Sequence, residues 1–182
     1  MNIINGDKKE IYKHKFSFGI SLGINIEDYK KIINDYKYYI SSIYFSLPLG
    51  TEFHTRDSVV VEYSKKNSEE TLINILKLFK NNDIKLEAVV NQYNISEDKI
   101  LEAIEYLKNN VDVDSICTLD EYAKMIRRCF PKQYLVRSFN NYNITYEQLQ
   151  SDNIYNEIVI GRRFLRDIKY INQVRNLGID IK

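Results

Sequence analysis

Residues 84–117, IKLEAVVNQYNISEDKILEAIEYLKNNVDVDSIC, decide the fold, because they contain a complete strand–helix–strand unit. Ile84 to Val90 is predicted as a strand, and Ser96 is predicted to cap the helix that follows it. The helix places its apolar residues on one face, and a second short strand follows at Val113 to Cys117. The apolar residues of the helix are Ile100, Leu101, Ile104 and Leu107.

The same alternation of strand and helix extends in both directions from this unit. The remaining strands are predicted at Phe16–Leu22, Ile43–Leu47, Gln133–Arg137, Glu157–Gly161 and from Ile179 onward. Ser68 is predicted to cap the helix after the second strand. Thr118–Glu121 and Thr145–Gln148 are predicted capping boxes, and the last helix is predicted to end at Gly178.

About six strand–helix units and a final strand are present, whereas a complete (β/α)₈ barrel has eight units. An alternation of this length requires right-handed crossovers and a parallel sheet. A doubly wound open sheet is the structural alternative. No glycine-rich phosphate turn follows the first strand, and several strands alternate small and large residues. These two features favour an α/β fold of the incomplete TIM-barrel type.

Composition and charge limit the class of protein. The chain has 182 residues, of which 44% are hydrophobic, so we predict a single domain over 1–182 with a polar leader at 1–15. Lys and Arg number 26 and Asp and Glu 25, which argues against nucleic acid as a partner while leaving room for a local basic site. Neither a membrane span nor a signal peptide is apparent, so a cytoplasmic location is expected.

The residue types that carry nucleophilic catalysis or bind metals do not form a recognisable pattern in this sequence. Cys117 and Cys129 have no neighbouring cysteine or histidine at metal-ligand spacing, so we interpret them as small buried hydrophobic residues. No Ser-His-Asp or Cys-His arrangement emerges. His54 would need an orienting partner to act as a general base, and an exposed loop histidine is the simpler interpretation.

Candidate binding residues lie just after the strands, because ligands of both architectures gather at the carboxyl ends of the strands. Guanidinium and amide groups at one barrel mouth suit an anion or a planar polar ligand. The alternative is that loops are simply polar and that arginines neutralise acidic neighbours. The candidates are Asn91, Arg137, Asn140, Arg162, His54 and Arg56.

Arg137 is the most specific of these candidates, because it follows an apolar stretch that begins at Tyr134. Such an arginine is expected either to point into the barrel mouth or to pair with a buried acid such as Glu87. The sequence leaves a ligand contact and a structural ion pair equally open.

Four strand-end segments resemble the peptidase U32 family, the collagenase-like proteases and their relatives. The similarity spans most of residues 16–182, and it depends on the order and spacing of the segments more than on any one of them. The segments are Ile43–Pro48 with Gly50 and Arg56, Leu86–Asn91, Leu135–Asn140 and Ile158–Asp167.

The resemblance implies a U32-like barrel fragment or a shortened homologue, with Asn91, Arg137, Asn140 and Arg162 inherited from its site. Family members include proposed proteases and enzymes that hydroxylate RNA or quinone precursors. Their barrel is followed by cysteines that hold an iron–sulfur cluster, so this cofactor is expected here only if another segment or partner supplies the cysteines. Arg162-Arg163 stands where the family commonly has Arg-Glu, which argues against an acid–base role there.

Two functions follow from these observations. The chain is either part of a peptidase or hydroxylase-type enzyme that binds a small polar or anionic ligand or a peptide, or a non-catalytic binding or assembly module. An open barrel leaves unpaired backbone groups on its first and last strands. We therefore expect a homo-oligomer or a partner protein to cover those edges, unless the polar leader covers one of them.

Overall fold

The computed structural model describes residues 15–50, 53, 67–138, 145–152, 154–161 and 166–182. Within these ranges seven strands form one sheet in which every neighbouring pair is parallel. The strands are β1 Phe16–Gly19, β2 Ile40–Ser46, β3 Lys85–Val90, β4 Ser115–Thr118, β5 Tyr134–Arg137, β6 Glu157–Ile158 and β7 Asp180–Ile181.

A helix separates each strand from the next, and a single 3₁₀ turn at Lys37–Tyr39 precedes β2. The spatial order of the strands is their order in the chain, from β1 to β7. A doubly wound sheet would reverse its order at a switch point. The prediction of a curled, incomplete TIM-like barrel is therefore confirmed. The helices are α1 Ile26–Tyr36, α2 Ser68–Lys80, α3 Glu97–Asn110, α4 Asp120–Cys129, α5 Tyr146–Asp152 and α6 Ile168–Asn176.

The main core lies between the outer face of the sheet and the helices. Leu86, Ala88 and Val90 on β3 belong to it, because alternate residues of a strand point to the same face. Between α1 and α2, the rings of Tyr29 and Phe79 meet edge to face, with centroids 5.4 Å apart. Burial of these apolar side chains supplies most of the driving force for the fold.

The inner face of the sheet is unusually polar. In complete barrels the interior is filled with layers of branched apolar side chains. Here the residues that alternate with the core positions include serines and glutamates, several of them near the amino ends of the strands. They are Ser17, Ser42, Glu87, Ser115 and Glu157.

Two of the predicted helix boundaries are confirmed by specific hydrogen bonds or backbone angles. The amide of Thr145 donates to Gln148 at 2.9 Å, and the amide of Gln148 donates back to the Thr145 hydroxyl at 3.3 Å, which is a capping box. After α6, Gly178 has a φ of 74°, the left-handed conformation for which glycine is favoured at a helix end.

Two predicted caps are wrong. Ser68 is the first residue of α2, and Asn67 precedes it with a φ of 67° and no side-chain cap. Thr118 belongs to β4, and Leu119 occupies the position before α4. Strand pairing extends one residue further than the motif suggested, so Thr118 is buried among strand residues. Among the described residues its hydroxyl has no hydrogen-bond partner, so it does not cap α4.

Among the described residues, no helix is long and apolar enough to cross a membrane.

Candidate functional site

Arg137 ends β5 and forms a two-point ion pair with Asp120, the first residue of α4. Its Nε donates to Asp120 Oδ1 at 2.9 Å and its Nη2 donates to Oδ2 at 2.6 Å. The hydroxyl of Tyr155 also donates to Oδ1, at 2.7 Å. Asp120 therefore joins β5, α4 and the segment before β6.

The burial of this ion pair is uneven. Arg137 is 4% exposed, whereas the Asp120 side chain is 45% exposed. Arg137 follows the core residue Leu135 by two positions, which places it on the helix-facing side of the strand. Of the two sequence interpretations, the ion pair is present, and its acid is Asp120 and not Glu87.

Asn91 and Ser138 meet across the end of β4 at the barrel mouth. Asn91 Nδ2 donates to Ser138 Oγ at 2.9 Å, and the Ser138 amide donates to the Thr118 carbonyl at 2.8 Å. Asn91 lies two residues beyond Val89, on the inward-facing alternation of β3. An amide and a hydroxyl are thus held together just beyond the strands, where they could contact a polar ligand.

Cys117 lies on β4, near this pair. Burial raises the pKa of its thiol to about 12, and the negative charge of Glu87 acts in the same direction. A hydrogen bond with Ser138 acts in the opposite direction. The thiol is therefore protonated at neutral pH and is not an activated nucleophile.

The cysteines do not fit an iron–sulfur cluster within the part of the chain that the structure describes. Cys117 is buried in the sheet, and Cys129 ends α4. In the same part of the chain, no three His, Cys, Asp or Glu side chains are grouped so as to hold a metal ion. Such a cluster would need thiolates from elsewhere.

Four of the six candidates from the sequence lie outside the described residues. They are His54, Arg56, Asn140 and Arg162, and they fall in the segments after β2, β5 and β6. Of the two candidates that are described, Asn91 is at the mouth and Arg137 is held by Asp120.

A cavity of about 870 Å³ lies at the opposite end of the sheet, and sequence analysis missed it. All seven strands line it at or beside their amino ends, whereas the sequence predicts binding residues only at the carboxyl ends. One signal was available, since Glu87 stands in an otherwise largely apolar strand. Its lining residues include Ser17, Ser42, Glu87, Ser115, Tyr134, Glu157, Asp180 and Lys182.

No family model and no curated protein matches the sequence, but solved structures share the fold. The U32 peptidase Mk0906 aligns with a TM-score of 0.60 at 12% identity, over 92% of this chain and 67% of that protein. Muconate lactonizing enzyme from Pseudomonas putida aligns with a TM-score of 0.57 at 11% identity, over 92% and 45%. A GH113 β-1,4-mannanase gives 0.50 at 12% identity, over 92% and 69%.

These likenesses show that the architecture is TIM-barrel-like, and they support the U32 resemblance at the level of fold. The chain spans less than half the length of the muconate lactonizing enzyme. Because unrelated functions share this fold, the fold alone does not carry an activity across.

Proposed function

We propose that this U32-like barrel protein binds a small polar or anionic ligand, or a peptide, at the carboxyl ends of its strands. The observation that carries the proposal is the hydrogen bond between Asn91 and Ser138 at the barrel mouth. Barrels of this architecture bind their substrates at that end. The same end is followed by the segments that contain His54, Arg56, Asn140 and Arg162.

The proposed roles divide between binding and positioning. Asn91 contributes an amide to the ligand, while Arg56 and Arg162 contribute cationic forks that match a carboxylate or phosphate. Asn140 and His54 add further polar contacts. Arg137 is assigned a positioning role, because its guanidinium already binds Asp120 at two points.

In the enzymatic version of this proposal, the chain is a fragment of a peptidase or hydroxylase-type enzyme. The comparison with the U32 peptidase supports that form through the fold. An iron–sulfur cluster would then be held by cysteines of another segment or of a partner, since Cys117 and Cys129 lie apart and do not form a ligand set.

Binding is tested by calorimetric titration of the full chain with inorganic phosphate, succinate and an unstructured tetrapeptide. We expect at least one probe to bind, and Arg162→Ala and Asn91→Ala to weaken it at least about tenfold, the usual effect of losing a hydrogen bond to a charged group. Arg128→Ala is the control, because that arginine is exposed in the last turn of α4, away from the carboxyl ends of the strands. Binding by none of the probes, or equal losses in all three variants, would contradict the proposal.

The alternative is a non-catalytic module that assembles with itself or with a partner protein. It is favoured by the sheet edges, since among the described strands β1 pairs only with β2 and β7 only with β6. Phe16 on β1 is also 48% exposed. Open edges pair readily with other chains. Sedimentation as a monomer at micromolar concentration would count against this alternative, and a dimer dissociated by Phe16→Glu would support it.

A further inference from the structure

The cavity at the amino ends of the strands is large enough for a small molecule. Its volume of about 870 Å³ lies within the usual range for ligand sites, roughly 300–1,000 Å³. The amino-end cavity, as we call it, is bordered by charged and hydroxyl side chains on several sides. Empty cavities in protein cores are typically apolar, so polar walls indicate a solvated or ligand-binding volume.

The two sides of the amino-end cavity differ in charge. On the side of β1 and β2 the lining groups are hydroxyls apart from the exposed Lys15, and the Ser17 hydroxyl lies 2.9 Å from that of Ser41 and 2.7 Å from that of Ser42. On the side of β3 to β7 the lining groups are mainly charged. The charged lining residues on this side include Glu87, Asp114, Glu157, Asp180 and Lys182.

Among the less exposed groups of the charged side, carboxylates outnumber ammonium groups. Lys182 Nζ lies 2.9 and 3.1 Å from the two carboxylate oxygens of Glu87, and 4.0 Å from Glu157 Oε1. The Ser115 hydroxyl lies 3.2 Å from Glu87 Oε2. One lysine thus serves two glutamates whose side chains are 7% and 19% exposed.

Over the whole lining, acidic and basic side chains are equal in number, and the excess of carboxylate is confined to the buried groups. Asp180 accepts a hydrogen bond from the Tyr134 hydroxyl at 2.7 Å, and Asp114 pairs with Lys80 at 3.0 Å. The other basic lining residues are exposed, so solvent and salt screen them more than the groups inside. These exposed residues are Lys15, Lys85 and Arg175.

A purely structural role explains this lining poorly. Apolar side chains of similar volume are often as stabilising as a buried ion pair, or more so. Serines at Ser17 and Ser42 also leave the interior unfilled, where a complete barrel would place branched residues. The interior therefore combines unfilled volume with incompletely neutralised carboxylates.

We propose that the amino-end cavity binds a small aliphatic amine, with its ammonium group placed against Glu157 and Glu87 and its polar remainder facing the serine hydroxyls. The ammonium supplies the positive charge that Lys182 alone does not. This site lies at the opposite end of the strands from Asn91, so either proposal can fail without the other.

Titration calorimetry at pH 7.5 with three four-carbon probes tests the charge preference in the wild-type protein. The probes are 1,4-diaminobutane, butane-1,4-diol and succinate, which share a chain length and differ in charge. We expect the diamine to bind at least about tenfold more tightly than the diol, as a hydrogen bond to a charged group implies. Equal binding of diamine and diol, or preferential binding of succinate that persists in Asn91→Ala, would overturn the proposal.

Substitutions then locate the site. Glu157→Gln is expected to weaken the diamine at least about tenfold, whereas Asp112→Asn removes the same charge from a side chain that is 91% exposed and should leave affinity unchanged. Asn91→Ala should also leave it unchanged, which separates this site from the carboxyl-end site. An unchanged affinity in Glu157→Gln, with a wild-type circular dichroism spectrum, would place the amine elsewhere and refute the assignment.

Discussion

The two ends of the sheet treat charge in opposite ways. At the carboxyl end, the buried guanidinium of Arg137 meets Asp120 at two points, and Tyr155 donates a further hydrogen bond to the same carboxylate. At the amino end, one lysine lies near two glutamates beside a cavity of about 870 Å³. In the first arrangement, one cation is paired with one carboxylate within the protein. In the second, two carboxylates share one ammonium group and border an open volume.

This difference separates a structural polar group from a candidate binding group. A buried charge whose hydrogen bonds are made within the protein has little capacity left for a ligand. A pair of carboxylates that shares one ammonium beside an open volume keeps that capacity. Arg137 is the more specific residue in the sequence, yet Glu157 has the more permissive surroundings in the structure.

The largest expected effect is on the carboxyl-end pair. Asp120→Ala removes the partner of the buried Arg137 and the acceptor of Tyr155, and we expect it to lower the free energy of unfolding by about 2–3 kcal/mol. The loss is expected to be smaller than for a fully buried pair, because the Asp120 side chain is 45% exposed. Urea denaturation followed by circular dichroism measures the change.

Asp112→Ala is the matched control for this substitution. Its carboxylate also pairs with a cation, Lys80, at 3.4 Å, but the side chain is 91% exposed. We expect it to change the free energy of unfolding by less than about 0.5 kcal/mol. Similar losses in the two variants would mean that the carboxyl-end pair is no more important than an ordinary surface pair.

The next largest effect concerns the pair that crosses the interior. Lys182→Met leaves the Glu87 carboxylate, 7% exposed, without its ammonium partner and should destabilise the protein by about 2 kcal/mol. In the double variant Glu87→Met/Lys182→Met, most of that loss should be recovered, because no unpaired charge stays buried. Additive losses in the same urea experiment would show that the two side chains do not interact. The contrast drawn between the two ends of the sheet would then be wrong.

A smaller effect compares two threonines near the carboxyl end. Thr145 caps α5 with its hydroxyl, whereas the Thr118 hydroxyl is buried without a hydrogen-bond partner among the described residues. Thr145→Val should cost about 1 kcal/mol, as the loss of a helix cap does, while Thr118→Val should be neutral or stabilising. Thermal unfolding of both variants measures the difference, and a larger loss at Thr118 would reveal a contact for its hydroxyl.

The fold could be predicted from the sequence because its signals are local and repeated. Apolar runs such as Ile84 to Val90 alternate with helical stripes, and the Thr145 box and Gly178 mark helix ends through residues only a few positions apart. Thr118 was misassigned because pairing with β5, a contact distant in sequence, extended the strand over a motif that is equally compatible with a cap.

The amino-end cavity was less predictable from the sequence, because it depends on contacts between residues that are distant in the chain. Glu87 and Lys182 are 95 positions apart, and nothing near either of them indicates the other. The two-residue alternation of a strand places Glu87 and Val89 on the same face. It could not tell which face would enclose a cavity, since the curvature of the whole sheet determines that.

The smallest expected effect is a dependence of stability on pH at Glu157. Burial raises the pKa of this carboxyl and Glu87 adds to the shift, while Lys182 opposes it. Between the pKa of the unfolded chain and the higher pKa of the folded protein, the folded state binds more protons, so this group's contribution to stability falls as pH rises.

Glu157→Gln removes that contribution, so the variant should be slightly more stable than the wild type at pH 7 and lose this advantage below the unfolded pKa of about 4.3. Urea midpoints measured from pH 4 to pH 7 test the sign, with Asp112→Asn as the control. A variant that is less stable at pH 7 would mean that attraction to Lys182 outweighs burial. The opposite result, together with weakened diamine binding, would show that this carboxylate is retained at the expense of stability, as expected of a binding residue and not of a structural one.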